Sequence, residues 1–505
     1  MAAKKQYLLG IDIGTSAVKV ALFQKELGAR ALAQAQGSYP TLHPTKGYAE
    51  QNPDDWWHTI CRIIPDLLCA SGISPAEIAA VGVDGQSWAA VAVGADGEAL
   101  SPTPIWSDTR AADTCAELIC RFGEERFFST SCNRLMPGYT FPKLCYYKKH
   151  MPEIYNRAVC FLQSNGYIVY RLTGQLSCDL SQGYGLACFD MRRGVWDEDL
   201  CREAGIDPAL LPPLFPCHAI VGGVSAAAAL ACGLAEGTPV VAGGLDTACD
   251  ALGAGVISPG TVQEQGGQSG GMSICTPLPL SHKQLILCRH VVPNLYLLQG
   301  GTAGGGATLR WFDSILHENN PERCEKTAFL RADEEAASVP AGAEGLILLP
   351  YLAGERSPLW DSHAKGVYYG LDYAKTRAHF HRANLESAAY ALRHNLETAA
   401  ETGVEIQTLR ASGGASKSPL WCQIKADVTG YPVEVGINNA AAFGAAMLAG
   451  VAVGIYSDFH DAMCNTPPVC RYEPNPQNRE IYDITYARYR ALYDTLSPLM
   501  HGDEA

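Results

Sequence analysis

Several features that would settle a function quickly are missing from this chain. It has no long block of consecutive Lys or Arg, and 38 basic against 52 acidic residues leave a formal charge of -14. That composition excludes a broad nucleic-acid or anionic-membrane surface, so a phosphate ligand would need locally aimed donors. No apolar stretch reaches the length of a membrane-spanning helix. Lys4 and Lys5 run straight into an apolar strand pattern with no cleavable segment, and a cytoplasmic location is the expectation. The 19 cysteines are scattered from Cys61 to Cys470 with no C-x-x-C pair, which argues against a zinc ribbon and fits reduced thiols. There is no Gly-Lys dipeptide, hence no Walker A loop, and no G-x-G-x-x-G.

Glycine is plentiful, at 50 of 505 residues, and its placement carries the information. The apolar run Tyr7 to Ile13 contains one acid, Asp12, breaks at Gly14-Thr15-Ser16, and gives way to a second apolar run, Val18 to Phe23, which carries Lys19. The pattern predicts a strand, a tight turn and a strand. A carboxylate there can hold a divalent cation, and turn N–H groups and hydroxyls can hold phosphate oxygens. An ordinary hairpin with a turn-forming Asp is the competing reading. Gly260 to Ile274 repeats the pattern around Gly267-Gln268-Ser269, and Leu409 to Ala415 leaves a third strand at Gly413-Gly414. The length calls for more than one domain, and the boundary is placed near Gly255.

Between these turns, helices are expected from Asp54 to about Ala70, after Met136 to Lys143, from Arg377 to Thr402 and from Asn438 to Ala449. Ile78 to Val83 predicts a strand leading into Asp84-Gly85-Gln86-Ser87-Trp88, which brings polar groups to a strand's C-terminal end. Val240 to Val241, two glycines and Asp246 predict a second such exit. Asp246 is the candidate base for transfer to an alcohol, with a helix N-cap as its alternative role. Gln86, Asp108, Arg110, Tyr139 and Thr247 could orient a sugar, with Trp88 or Trp106 as an apolar wall. Lys143 reads as a surface cation extending along its own stem, and His394 as structural.

Taken in order, these motifs resemble the FGGY carbohydrate kinases of the actin, hexokinase and chaperone ATPase superfamily. The resemblance runs from Tyr7 to about Gly450 and includes Gly138 to His150, Leu349 to Pro358, Gly366 to Glu386 and Gly413 to Asp427. It implies an α/β fold of two ribonuclease-H-like (actin/hexokinase-type ATPase) domains around a central cleft. Residues 1–254 would carry the sugar site and first phosphate motif, and residues 255–505 would bind ATP. Asp246 matches the family's general base, and Asp12 an acid near Mg²⁺ and the phosphates. Gly14, Thr15, Ser16 and Lys19 fall in the first phosphate motif, Gly267, Gln268 and Ser269 in the second, and Gly413 with Gly414 in the adenosine turn.

Gln86, Ser87, Trp88, Asp108, Tyr139 and Thr247 are the expected sugar-binding set. Within the family the xylulokinase subgroup is most similar, through Trp56-Trp57, Met136 to Tyr139 and Gly354-Glu355-Arg356. The chain departs from that subgroup at Ser87-Trp88, where Met-His is usual, at Gln268 for Thr, and at Tyr146 for Trp. The expected activity is ATP-dependent phosphorylation of a ketopentose such as D-xylulose. Another ketose, sugar acid or polyol, or a non-catalytic nucleotide-binding module, is the alternative. The oligomeric state stays open, a homodimer among its options.

Overall fold

The computed structural model describes residues 5–316, 325–436 and 440–502. Its contacts divide the chain into two units, residues 1–257 with 277–297 and 439–467, and residues 258–276 with 298–438 and 468–505. The first change of unit along the chain falls between Ile257 and Ser258. Two later segments nonetheless return to the first unit, so the units are not contiguous halves.

The first unit is built on strands β1 (Tyr7–Ile13), β2 (Ala17–Gln24), β3 (Ala33–Ser38), β4 (Ile78–Gly85), β5 (Ile220–Gly223), β6 (Pro239–Val241) and β7 (Gly244–Leu245). Their order is β5-β6-β4-β1-β2-β3, with β7 also paired to β4. The β1–β2 hairpin is antiparallel and β4 adds to β1 in parallel. Leu8, Leu9, Ile11 and Ile13 on β1 are wholly buried, as suits a central strand covered on both faces.

One cover is the helix Pro53–Ser71. Asn52 caps its first turn by accepting from the Asp54 N–H, Pro53 starts it, and Gly72 ends it in the left-handed region. Trp56, Ile60, Ile63, Ile64 and Leu67 join the same buried cluster as the strand side chains. The other cover is the helix Ala440–Ala452. The expected start of this helix, Asn438, lies outside the described residues. Its backbone passes so close to the sheet that a Cβ on Gly10 would stand 2.0 Å from the Ala442 carbonyl oxygen, and one on Gly82 1.9 Å from that of Ala445. Small residues on both surfaces are what bring this late segment into the first unit.

The second unit repeats the local plan. Strands β8 (Thr261–Gly266), β9 (Gly270–Thr276), β10 (Tyr296–Thr302), β11 (Thr408–Gly413), β12 (Val433–Val435) and β13 (Cys470–Tyr472) are ordered β10-β9-β8-β11-β12-β13. Again a hairpin, β8–β9, takes a parallel strand, β11, on its first member. The helices Arg377–Ala400, Pro419–Thr429 and Arg479–His501 cover it, with Leu385, Tyr390, Trp421, Ile424, Tyr482 and Tyr489 in one core.

One expected boundary moves. The helix expected after Met136 to Lys143 starts at Thr140, so Phe141, Pro142 and Lys143 lie inside it rather than before it. Pro142 is tolerated because the first-turn N–H groups of a helix have no intrahelical partner to lose.

Candidate active site

In the first unit the expected residues gather at the C-terminal ends of β1, β4 and β7. Gly244, Asp84, Asp12 and Lys19 form one cross-strand row, since Asp84 registers with both Gly244 and Asp12, and Asp12 with Lys19. Asp12 is nearly buried, and its Oδ2 accepts from Lys19 Nζ at 3.2 Å, where the lysine side chain is 55% exposed. The turn that follows is tied down by its own backbone. Gly14 N–H donates to the Ala17 carbonyl at 3.1 Å, and the Tyr39 hydroxyl donates to the Gly14 carbonyl. Ser16 is exposed, while Thr15 is half-buried and its Oγ1 accepts from the Trp106 indole at 3.0 Å.

Gln51, which the sequence gives no reason to single out, links this turn to Gln86 and Trp56. Its Nε2 donates to the Thr15 carbonyl at 2.6 Å, and its Oε1 accepts from Gln86 Nε2 at 2.8 Å and from the Trp56 indole at 3.0 Å. The neighbouring side chains form an aromatic wall. The Trp88 ring lies 4.6 Å from that of Tyr139 and 5.7 Å from that of Tyr184, and the Tyr184 hydroxyl donates to Ser87 Oγ at 3.1 Å. Trp88 holds φ at 59°, in the left-handed region that a bulky residue rarely adopts.

Two residues sit differently from expectation. Lys143 is not a surface cation: it is fully buried, and its Nζ donates to the Trp88 carbonyl at 2.9 Å and the Ile105 carbonyl at 2.7 Å. Burial lowers its pKa to about 7, against a smaller opposing pull from Asp108. Asp108 is likewise wholly buried. Its Oδ2 accepts from the Ala49 N–H at 2.7 Å, and Arg110 binds both carboxylate oxygens at 2.8–3.0 Å. Arg110 also reaches Glu50 at 2.6 Å and lies over the Tyr48 ring. Asp108 therefore faces the protein interior, with its hydrogen-bonding capacity directed to Arg110 and Ala49.

Asp246 opens the helix Asp246–Gly253 directly after β7. Its Oδ1 accepts from the Thr247 N–H at 2.6 Å and the Thr247 hydroxyl at 3.1 Å. The turn is set by a buried relay in which Leu245 N–H donates to Ser181 Oγ at 2.8 Å and Ser181 Oγ donates to Asp179 at 2.5 Å. Part of Asp246 remains open at the surface, yet the atoms packed round its carboxyl withdraw it from water. That desolvation, reinforced by the charge of Asp12, raises its pKa to about 7 against the Thr247 hydrogen bonds. Such a carboxyl can hold or release a proton near neutrality. Asp84, which sequence reasoning passed over as a candidate, is fully buried with no donor to either oxygen. Its one visible signal was an acid ending an otherwise apolar run.

In the second unit the glycine turns converge. Gly266 registers with Gly270 on one side and with Gly413 on the other. Gly413 has φ 80°, and a Cβ there would meet the Gly266 carbonyl oxygen at 2.5 Å. The hairpin tip docks on the start of the helix Gly306–Leu316: Gly306 N–H donates to the Gly267 carbonyl at 3.0 Å and Ala307 N–H to the Gln268 carbonyl at 2.9 Å. Gln268 and Gly414 are exposed, and Ser269 is half-buried. Beside the tip a cavity is lined by Gly267, Ser269, Gly306, Asn395, Trp421 and Lys425. Lys425 pairs with Glu264 on β8 at 2.7 Å, both side chains being buried.

Family models match nearly the whole of this arrangement. The N-terminal domain of the FGGY family of carbohydrate kinases matches residues 7–253 and its C-terminal domain residues 267–453. The chain belongs to the FGGY family of carbohydrate kinases. It is a carbohydrate kinase, with ATP as the co-substrate the family implies. Among curated relatives it is 30% identical to the xylulose kinase of Bacillus subtilis strain 168, over 97% of each chain. It is also 30% identical to an autoinducer-2 kinase of Photorhabdus laumondii, over 98% of this chain and 96% of that one. A solved structure of xylulose kinase from Rhodospirillum rubrum superposes with a TM-score of 0.91 at 32% identity, over 98% of this chain and all of the other. No helix among the described residues is long and apolar enough to cross a membrane.

Proposed function

We propose that this FGGY kinase transfers the γ-phosphoryl group of ATP to a hydroxyl of a ketopentose, with D-xylulose the first candidate and Asp246 the general base. The observation that carries the reading is the Asp246 carboxyl itself, placed at a strand exit beside Asp12 with its pKa raised to about 7. As the sugar oxygen bonds to the γ-phosphorus, the bond from that phosphorus to the bridging oxygen breaks, ADP leaves, and Asp246 takes the hydroxyl proton. Thr247 holds the carboxyl in place. Gln86, Ser87, Trp88 and Tyr139 line the acceptor side, and Asp108 acts there through Arg110. Lys19 and the turn Gly14-Thr15-Ser16 serve the phosphates, as do Gly267, Gln268 and Ser269, while Gly413 and Gly414 serve the adenosine.

The oxygen donors at the β1 exit suit a hard cation such as Mg²⁺, and Asp12 would hold it. When bound, such an ion supplies charge neutralisation on the transferring phosphoryl group. The similarity to xylulose kinases at 30–32% identity over nearly the full chain supports the ketopentose.

A second substrate reading is favoured by Trp88. Its indole forms an aromatic wall with Tyr139 and Tyr184, and an indole and an imidazole contact a sugar differently. Another ketose, a sugar acid, a polyol or autoinducer-2 would then be the acceptor. A coupled ADP-release screen across these classes decides between them. Release driven best by D-xylulose upholds the first reading, release driven best by another acceptor the second, and release driven by none removes both.

A further inference from the structure

The cross-strand row at the β1 exit contains a group that the proposed chemistry has not used. Asp84 and Asp12 are Cα partners on adjacent parallel strands, and partners in one row present their side chains to the same face. Asp84 is 0% exposed, and neither carboxylate oxygen accepts a hydrogen bond. The cation in the row, Lys19, bonds Asp12. On the other flank the row continues to Gly244, which has no side chain to offer.

A buried carboxylate without donors is costly, and proteins compensate such groups with a proton or a cation. A donorless Asp84 aimed at a second carboxyl, at the strand exit read above as the phosphate end, has the donor chemistry of a hard divalent ion. Such ions commonly take one or two protein carboxylates and complete their shell with phosphate oxygens and water. Among the described residues no group of three His, Cys, Asp or Glu side chains is close enough to hold a metal unaided, so the site is limited to a carboxylate pair.

We propose that Asp84 is, with Asp12, a ligand of the divalent cation that accompanies the nucleotide, directly or through one bound water. The proposal rests on the kinase reading for the identity of the ion's companion. Its consequence is that the metal site of this chain has two carboxylates on neighbouring strands, placed by register rather than by one turn.

The test is Mn²⁺ binding to the full chain, followed by the electron paramagnetic resonance signal of free Mn²⁺ in the presence of ADP. Asp84→Asn keeps the shape of the side chain and Asp84→Ser shrinks it. Either folded variant should bind Mn²⁺ about tenfold or more weakly than the unaltered protein, with metal-free ADP binding unchanged. Mn²⁺ affinity equal to that of the unaltered protein would overturn the proposal and leave Asp84 as an acid sharing a proton with Asp12.

Independently of any variant, a crystal of the unaltered protein soaked with Mn²⁺ and ADP should place the anomalous peak about 2.2 Å from an Asp84 oxygen, or about 4–5 Å if one water intervenes. A peak beyond that reach overturns the proposal as well. Sugar-dependent ADP release tests the kinase reading separately: a protein that binds Mn²⁺ through Asp84 but phosphorylates no sugar refutes that reading alone.

Discussion

Lys425, on the helix Pro419–Thr429, closes on Glu264 of β8 at 2.7 Å with 2% and 5% of the two side chains exposed. The pair ties the strand that ends in the Gly267 hairpin to the helix that follows the Gly413 turn. Removing one partner from a buried pair leaves an uncompensated charge, which costs about 3–5 kcal/mol. Lys425→Met should lower the denaturation midpoint accordingly, and adding Glu264→Gln should recover much of the loss. If the double variant is as unstable as the single one, the charge is not the cause.

Lys143 bonds the carbonyls of Trp88 and Ile105, holding together the two segments that carry them. Lys143→Met removes the donor to the Trp88 carbonyl, at about 1–3 kcal/mol, while the Ile105 carbonyl keeps the Asp108 N–H at 3.0 Å. The expected kinetic result is a raised KM for the sugar with the KM for ATP little changed. Equal shifts in both constants would mark Lys143 as a general structural residue.

The lowered pKa of Lys143 also has a sign in stability. The folded form gives up its proton near pH 7 and the unfolded form near 10.5. Between those values the unfolded chain binds more protons, so this lysine adds stability as pH rises and withdraws it as pH falls towards 7. The unfolding midpoint of Lys143→Met, compared with the parent from pH 7 to 10, should show a smaller gain on the alkaline side.

Gly82 faces the helix Ala440–Ala452 with room for no Cβ: one built there stands 1.9 Å from the Ala445 carbonyl oxygen. Gly82→Ala must displace the helix or the strand, at about 1–3 kcal/mol or more. Thermal unfolding should show that loss. An unchanged midpoint would mean the contact is looser than described.

Much of this was legible in the amino-acid order. The hairpin around Gly14, its counterpart around Gly267 and the exit at Gly413 are written in local turn chemistry, and they suffice for a two-domain α/β kinase fold. What was not legible depends on partners far away in the chain. Lys143 reads as a surface lysine until the Trp88 and Ile105 carbonyls, 55 and 38 positions distant, are seen to receive it. Asp84 became a candidate only through its register with Asp12. The return of residues 439–467 to the first unit depends on glycines at positions 10 and 82, whose packing role no local pattern announces.

Asp246 must be ionised to accept a proton, and burial with the charge of Asp12 puts that ionisation at about pH 7. The kcat/KM for the sugar should therefore rise with pH through an acid limb near 7 and level off above it. A flat profile from pH 5.5 to 8, well beyond an ordinary carboxyl, would show that no group of this kind controls the reaction.

The most direct measurement is sugar-dependent ADP release by the parent protein and by Asp246→Asn, with D-xylulose as acceptor. The parent should release ADP in step with sugar added, and the variant should lose about 10²–10⁴-fold in kcat while sugar KM stays close to the parent value. Near-parental turnover by Asp246→Asn would contradict the account.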